Sequence, residues 1–220
     1  MNKVEAIGFD FDGTLIVSEE TKALEMVKVF NEKLGIKRGV GTAYKKLVGK
    51  SFNREQKVLF LFKKFLKRNP TKKELKDIKN HFGEHYRKSL WTCPLFQCTN
   101  VVKELKKQVK FLFLLSLEDK KEVKKLIKHC GLGSYFDEVL GGPKSKVDNL
   151  EHVIKKHKLK PRELLYIGDS KGDVVASKKK GIRVVLVKKR FRYKDLKDTL
   201  EADFVFSSLC ELPHDIKKLR

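Results

Sequence analysis

The sequence has no apolar run approaching the roughly 20 residues that a transmembrane helix needs. Its first residues lead directly into a short apolar segment, without the basic region and apolar core of a secretion signal. Internal repeats, low-complexity segments and the aromatic motif of RNA-recognition domains are also missing. These absences favour a globular protein, which we expect in the cytoplasm.

Cysteine is scarce, with four residues scattered along the chain at Cys93, Cys98, Cys130 and Cys210. None of them forms a Cys-x-x-Cys pair, which favours unpaired thiols in a reducing compartment over a disulfide framework or a zinc site. The six histidines also show no obvious ligand spacing. We therefore expect the histidines on helices or at the surface.

Acidic residues are few relative to basic ones: 28 Asp and Glu stand against 51 Lys and Arg, for a formal net charge of +23. Such a balance is typical of an RNA-binding protein, of a protein with an anionic substrate, or of a lysine-rich proteome such as a thermophile's. The lysines are spread over the chain rather than gathered in one tract. We interpret them mainly as a charged surface that attracts small anions and binds nucleic acid weakly and without specificity.

The order of predicted elements indicates a core domain with an insert. Residues 1–16 and 92–220 alternate short apolar segments with amphipathic ones, which predicts a mostly parallel, Rossmann-like α/β sheet with helices on both faces. Residues 17–91 contain no convincing strand, so we interpret them as an α-helical domain.

Two features locate helices inside this insert. Leu24, Val27, Phe30 and Leu34 recur at helical spacing and predict the buried stripe of its first helix. Thr71, followed three residues later by Glu, has the spacing of a capping box and predicts the start of its last helix.

Polar residues follow three of the predicted strands. Asp10 and Asp12 come after a buried first strand, Ser116 after the second, and Asp169 and Asp173 after a later one. The carboxyl ends of parallel strands meet at one edge of a sheet, where open α/β sheets bind their ligands. The sequence therefore predicts that these five side chains converge.

A loop from Gly141 to Lys146 adds lysines to this set, and either Lys144 or Lys146 could reach the same edge. Carboxylates, a hydroxyl and an ammonium in one cleft suit Mg²⁺ together with a phosphate group, because Mg²⁺ prefers a few oxygen ligands, water and substrate phosphate. We prefer Lys146 because Leu150 follows at helical spacing.

These residues resemble, in order and spacing, the four motifs of the haloacid dehalogenase (HAD) superfamily. The resemblance is carried by Asp10-Phe11-Asp12-Gly13-Thr14, Ser116, Lys146 and Gly168-Asp169-Ser170-x-x-Asp173. The helical insert resembles the cap of the branch that contains phosphoglycolate phosphatase and β-phosphoglucomutase. The resemblance implies a HAD-type core with a helical cap.

The same resemblance implies a Mg²⁺-dependent phosphatase that hydrolyses a small phosphorylated metabolite through an aspartyl-phosphate. Asp10 would be the nucleophile and Asp12 the general acid and base. Ser116 and Lys146 would hold the transferring phosphoryl group. A phosphoryl-transferring mutase of the β-phosphoglucomutase type is an alternative, and a basic nucleic-acid-binding protein on the same scaffold is a further one.

Two further groups of residues take expected roles from the resemblance. Magnesium would be held by Asp10, the backbone carbonyl of Asp12, Asp169 and Asp173, and the last of these could instead orient the lysine. In the cap, Gly49, Lys50 and Arg54 resemble a substrate-specificity loop, although a solvated helix start explains them equally well. Val17 and Leu117 depart from residues common in the family, which weakens assignment to a named substrate.

Overall fold

The computed structural model describes residues 3–47, 54–187 and 202–212. The chain divides into two compact units, one formed by Met1–Ile16 with Leu95–Arg220 and the other by Val17–Pro94. Among the helices in these described ranges, none is long and apolar enough to cross a membrane.

The helices and strands alternate in the first unit, whereas the second unit is helical. In chain order they are β1 (Ala6–Asp10), α1 (Glu19–Leu34), α2 (Val40–Lys45), α3 (Arg54–Leu66), α4 (Lys72–Ser89), α5 (Val101–Lys106), β2 (Phe111–Asp119), α6 (Lys120–His129), β3 (Glu138–Gly142), α7 (Lys146–Lys156), β4 (Leu164–Gly168), α8 (Lys171–Lys179), β5 (Arg183–Val187) and β6 (Phe204–Phe206).

The strands of the first unit form one sheet in the order β3-β2-β1-β4-β5-β6. Every neighbouring pair is parallel. This arrangement confirms the predicted α/β class with a Rossmann-like parallel sheet.

Strand β1 lies at the centre of the sheet, and all five of its residues are buried. Gly8 is needed there because a Cβ at this position would lie 2.2 Å from the ring of Phe113 and 2.7 Å from the ring of Tyr166. The glycine thus lets two large aromatic rings from the flanking strands cover β1, which keeps water from the strand that carries the first aspartate.

The order in which the chain adds strands to the sheet reverses beside β1. From there the chain moves outward to β2 and β3, and later returns across the sheet to β4, β5 and β6. Because crossovers between parallel strands are right-handed, α6 lies on the face opposite α7 and α8. Leu150 and Val153 of α7 and Ala176 of α8 accordingly share one apolar cluster with Tyr166. Such a reversal opens a crevice at the carboxyl ends of the central strands.

Strand β2 extends beyond its expected end at Ser116. Its pairing with β1 stops at Leu115, opposite Asp10, and its register with β3 shifts between Leu115 and Asp119. Asp119 then caps α6 by accepting hydrogen bonds from the backbone N–H groups of residues 121 and 122 at 2.9 and 3.2 Å. The irregular stretch leaves Ser116 just past the regular ladder, at the carboxyl edge.

The predicted capping box opens α4 in the helical unit. The backbone N–H of Glu74 donates to Thr71 Oγ1 at 3.2 Å, and the backbone N–H of Thr71 donates to the Glu74 carboxylate at 2.7 Å. These two hydrogen bonds confirm the capping prediction. The motif could be predicted from the sequence because both partners are close in the chain and need no tertiary contact.

The predicted apolar stripe of α1 is wrong in part. Phe30 is fully buried, but Leu24 is 61% exposed and the neighbouring Glu25 is buried instead. The carboxylate of Glu25 accepts hydrogen bonds at 2.7 Å from both Lys28 Nζ and Ser89 Oγ. A charged group tolerates burial when it is paired in this way, so the helix turns its Glu25 side toward α4.

The prediction of unpaired thiols is wrong for Cys98 and Cys210, which form a disulfide. Their Cα atoms lie 5.2 Å apart although 112 positions separate them in the chain. The bond joins the segment that precedes α5 to the segment that follows β6, and sequence spacing carries no trace of that approach. Cys93 and Cys130 are not disulfide-bonded.

Replacing both bridged cysteines, as Cys98→Ser with Cys210→Ser, should lower the free energy of unfolding by about 2–4 kcal/mol, because a cross-link over a long loop restricts the unfolded chain. Urea unfolding followed by circular dichroism measures this change. Cys130→Ser is the matched control and should shift the midpoint little. Equal midpoints for the double variant and the control would contradict a bridge in the folded protein.

Candidate active site

Asp10 is the last residue of the central strand and is 4% exposed. Its pairing with Leu115 holds it level with the end of the β1–β2 ladder. A carboxylate at that depth needs a partner, since an isolated buried charge is costly.

Lys146 supplies this partner. Its ammonium donates to Asp10 Oδ1 at 2.8 Å and to Asp173 Oδ1 at 2.5 Å. Ser145 caps the helix immediately before it by accepting from the backbone N–H of Asp148 at 3.2 Å, which fixes Lys146 as the first residue of α7. Lys144 lies in the preceding turn and is exposed. The structure therefore places Lys146, and not Lys144, against Asp10.

Asp173 is fully buried in the first turn of α8. The backbone N–H and the hydroxyl of Ser170 both donate to Asp173 Oδ2, at 3.0 and 2.5 Å. Gly168 is required beside it, because a Cβ there would lie 2.4 Å from the Asp173 carboxyl carbon. The Gly-Asp-Ser-x-x-Asp spacing thus makes a capping box that also aims one carboxylate oxygen at Lys146.

Asp169 approaches the loop after β1. Gly13 has a φ of +92°, and a Cβ there would lie 2.4 Å from Asp169 Oδ2. The glycine permits both the turn and the close approach of the carboxylate. Asp10, Asp169 and Asp173 each offer an oxygen within 4.8 Å of the others. These oxygen donors fit a hard divalent cation such as Mg²⁺.

The electrostatics of the cluster follow from its depth. Burial raises the pKa of Asp10 to about 7, with Lys146 opposing the rise and with Asp173 and Asp12 adding to it. Burial by itself would lower the pKa of Lys146, but the carboxylates of Asp10 and Asp173 raise it well above its ordinary value. One ammonium thus faces more negative charge than it neutralises, and a bound divalent cation would offset the excess.

Ser116 and Asp12 lie at the same edge of the sheet. Ser116 is 1% exposed, and its Oγ accepts from the backbone N–H of Glu118 at 3.1 Å, so its hydroxyl hydrogen can still be donated. Asp12 is half-buried and follows β1 by two residues, in a turn that the backbone N–H of Gly13 closes on the carbonyl of Ile16 at 3.1 Å.

Of the three expected substrate-specificity residues, only Arg54 lies in the part of the chain that the structure describes. Gly49 and Lys50 lie outside the described residues. Arg54 begins α3, and its guanidinium carbon lies 5.0 Å from the centre of the Phe82 ring. Arg54 therefore packs on an aromatic ring within the helical unit.

His81 and His85 lie on a helix, as expected, but the statement that the histidines show no ligand spacing is wrong for this pair. His81 and His85 stand four residues apart in α4, the spacing at which two helical side chains share a face. Together with Glu32 of α1 they form a second group of potential metal ligands. The i, i+4 spacing was visible in the sequence, but the carboxylate that completes the group comes from another helix.

Comparisons with known proteins agree with this geometry. The family model described as haloacid dehalogenase-like hydrolase matches residues 7–187. The chain is 25% identical to a phosphoglycolate phosphatase of Pasteurella multocida, over 96% of this chain and 98% of that protein. It is 27% identical to one of Aquifex aeolicus, over 83% of this chain and 84% of that protein.

Solved structures share the fold. The crystal structure of a protein from Haemophilus somnus, described as a predicted phosphoglycolate phosphatase, superposes with a TM-score of 0.80 at 25% identity, covering 100% of this chain and 99% of that one. A haloacid dehalogenase-like protein of Streptococcus pneumoniae has a TM-score of 0.79 at 20% identity, covering 96% of this chain and 97% of that one.

The family match spans most of the chain and begins on the strand that ends at Asp10. The relatives that align over nearly the whole chain are phosphatases. The chain therefore belongs to the haloacid dehalogenase-like hydrolases, and it is a phosphoric monoester hydrolase.

Proposed function

We propose that this protein is a Mg²⁺-dependent phosphatase of a small phosphorylated metabolite and that it works through an aspartyl-phosphate. The observation that carries the proposal is the contact of Lys146 Nζ with Asp10 Oδ1 at 2.8 Å, beside an oxygen-only ligand group. An ammonium beside a carboxylate nucleophile also lies where the phosphoryl oxygens of a substrate would come.

The reaction can be assigned to side chains of this chain. A carboxylate oxygen of Asp10 forms a bond to phosphorus while the bond from phosphorus to the ester oxygen breaks. Asp12 gives its proton to the leaving oxygen, then takes a proton from the water that hydrolyses the acyl phosphate. Inorganic phosphate leaves and Asp10 is regenerated.

The other residues position the phosphoryl group and neutralise its negative charge. Ser116 and Lys146 donate hydrogen bonds to the phosphoryl oxygens, and Asp173 holds the ammonium in place through its 2.5 Å contact. Magnesium, when bound, would be held by Asp10, the Asp12 backbone carbonyl, Asp169 and Asp173, and would supply positive charge to the phosphoryl oxygens.

The names of the relatives and the net charge support our choice of substrate class. Phosphoglycolate is the first candidate, since the relatives that align over nearly the whole chain carry that activity in their names. An anionic metabolite also suits a chain with a net charge of +23. We propose that residues 17–91 serve as the family's helical cap, and that Gly49, Lys50 and Arg54 contribute to substrate choice.

We propose a cytoplasmic location, where small phosphorylated metabolites occur. The Cys98–Cys210 disulfide is unusual for that compartment, except in hyperthermophiles. Nucleic acid should bind only weakly, through the lysine-rich surface. Tight binding of a structured RNA at physiological salt, measured by filter binding, would refute this part of the proposal.

A panel of phosphorylated metabolites with Mg²⁺, assayed for phosphate release, tests the function directly. The wild-type protein should release phosphate from at least one small ester, and phosphoglycolate is the first to try. Asp10→Asn should lose about 10³-fold or more of this activity, because an amide cannot form the acyl phosphate.

The panel also separates the alternatives. Isomerised sugar phosphate without net phosphate release would identify a mutase instead. Substantial phosphate release by folded Asp10→Asn protein would rule out the aspartyl-phosphate mechanism while leaving phosphatase activity itself established.

Asp12→Asn should slow the hydrolysis of an alkyl phosphate more than that of p-nitrophenyl phosphate. The alkoxide needs a proton as it leaves, whereas p-nitrophenolate is stable without one. Single-turnover measurement of the phosphorylation step gives both rates. Equal losses on the two substrates would exclude proton donation by Asp12.

Lys146→Ala should lower kcat/KM by about 10²-fold or more, since it removes a donor from the reacting group. Lys144→Ala is the matched control, two residues away and exposed, and should keep activity near that of the wild type. Circular dichroism checks whether each variant is folded. The reverse ranking would assign the active-site ammonium to Lys144.

A further inference from the structure

A second group of ligand side chains lies within the helical unit. Glu32 is in α1, and His81 and His85 are in α4. Each offers one ligand atom, and these atoms all lie within 4.8 Å of one another. We propose that the three side chains bind a divalent transition-metal ion of the Zn²⁺ class, at a site built independently of the catalytic aspartates.

The distances already suit such an ion. His81 Nε2 lies 3.3 Å from Glu32 Oε2, and His85 Nε2 lies 3.5 Å from the same oxygen. Two ligand atoms held tetrahedrally at about 2.0–2.1 Å from Zn²⁺ are about 3.3 Å apart. Both nitrogens therefore approach the oxygen at the spacing of neighbouring ligands on one metal ion.

The second nitrogen of His85 has the environment of a metal-bound histidine. Its Nδ1 lies 3.3 Å from a carboxylate oxygen of Glu25, whose side chain is only 4% exposed. Ligating histidines commonly donate their other N–H to a carboxylate, which fixes the tautomer and turns the free nitrogen toward the metal. Glu25 is itself held by Ser89 Oγ at 2.7 Å.

The hydrogen-bonding capacity of His85 supports the same conclusion. Both of its ring nitrogens face carboxylates, which only accept hydrogen bonds when ionised, and a neutral imidazole has a single N–H to donate. If Nδ1–H donates to Glu25, the Nε2 lone pair faces Glu32 across 3.5 Å. Either a metal ion between the two atoms or a second proton on the ring removes this conflict, and the zinc titration below distinguishes the two.

The donors also distinguish this site from the catalytic one. Imidazole nitrogens favour Zn²⁺, Ni²⁺ and Cu²⁺, whereas an oxygen-only group suits Mg²⁺. The side chains of His81, His85 and Glu32 are 30%, 27% and 44% exposed, so an ion can enter from solvent and water can complete its coordination. The bound ion would join α1 to α4 and stabilise the helical unit.

Zinc titration of metal-stripped protein against a chromophoric chelator, in excess Mg²⁺ to occupy the aspartates, tests the proposal. The wild-type protein should bind one equivalent of Zn²⁺ with a raised melting temperature. His81→Gln and His85→Gln should each weaken binding by more than about 10-fold, since loss even of an outer-shell partner costs 10–100-fold.

His152→Gln is the matched control. His152 Nε2 also faces a carboxylate, that of Glu138 at 3.9 Å, but Lys156 Nζ already occupies this carboxylate at 2.9 Å. The control should bind Zn²⁺ like the wild type. Glu32→Gln, at a more exposed position, gives a second test should a histidine variant fail to fold, and it should also weaken binding.

Either of two results would overturn the proposal. The first is a wild-type protein that binds no Zn²⁺ in the presence of Mg²⁺. The second is Zn²⁺ binding that is unchanged in folded Glu32→Gln and histidine variants, which would assign the ion elsewhere and leave the group as ordinary histidine–carboxylate contacts.

Discussion

The contact of one ammonium with two buried carboxylates is the constraint on which the core unit depends. Lys146 meets Asp10 at 2.8 Å and Asp173 at 2.5 Å, and their side chains are 12%, 5% and 0% exposed. Buried ions are costly unless each is paired, and removing one partner leaves an uncompensated charge. The end of β1, the start of α7 and the first turn of α8 must therefore meet at one point. The order of the parallel strands allows these three distant segments to do so.

Local spacing explains why much of this site could be predicted from the sequence. Asp173 is positioned by a capping box with Ser170, three residues away, and Gly168 is needed only because the carboxylate lies against it. Such motifs show in the residue order itself. The choice between Lys144 and Lys146 was harder, because two lysines of one loop differ only in where the next helix begins. The Ser145 cap decides it.

Features that depend on distant segments could not be predicted. The buried face of α1 includes Glu25 and excludes Leu24, because Ser89, 64 positions along the chain, satisfies the carboxylate. Cys98 and Cys210 meet only through the fold of the core unit. Helical periodicity treats every carboxylate as outward-facing and every leucine as inward-facing. It fails where a tertiary hydrogen bond offsets the cost of burial.

The same distinction between local and tertiary partners bears on the net charge. Pairs such as Lys155 with Glu151, four residues apart at 2.7 Å, lie on exposed helix faces, and contacts of this kind contribute about 0–1 kcal/mol each. These surface pairs can be altered at little cost in stability, whereas removal of Lys146 would leave two buried carboxylates facing one another without a cation. The exposed lysines set how strongly the surface attracts polyanions, an effect that salt screens over about 8–10 Å. The buried contact is screened far less. Surface charge and catalytic charge are therefore separable: the value of +23 bears on the attraction of anions to the surface, and not on the chemical step at Asp10.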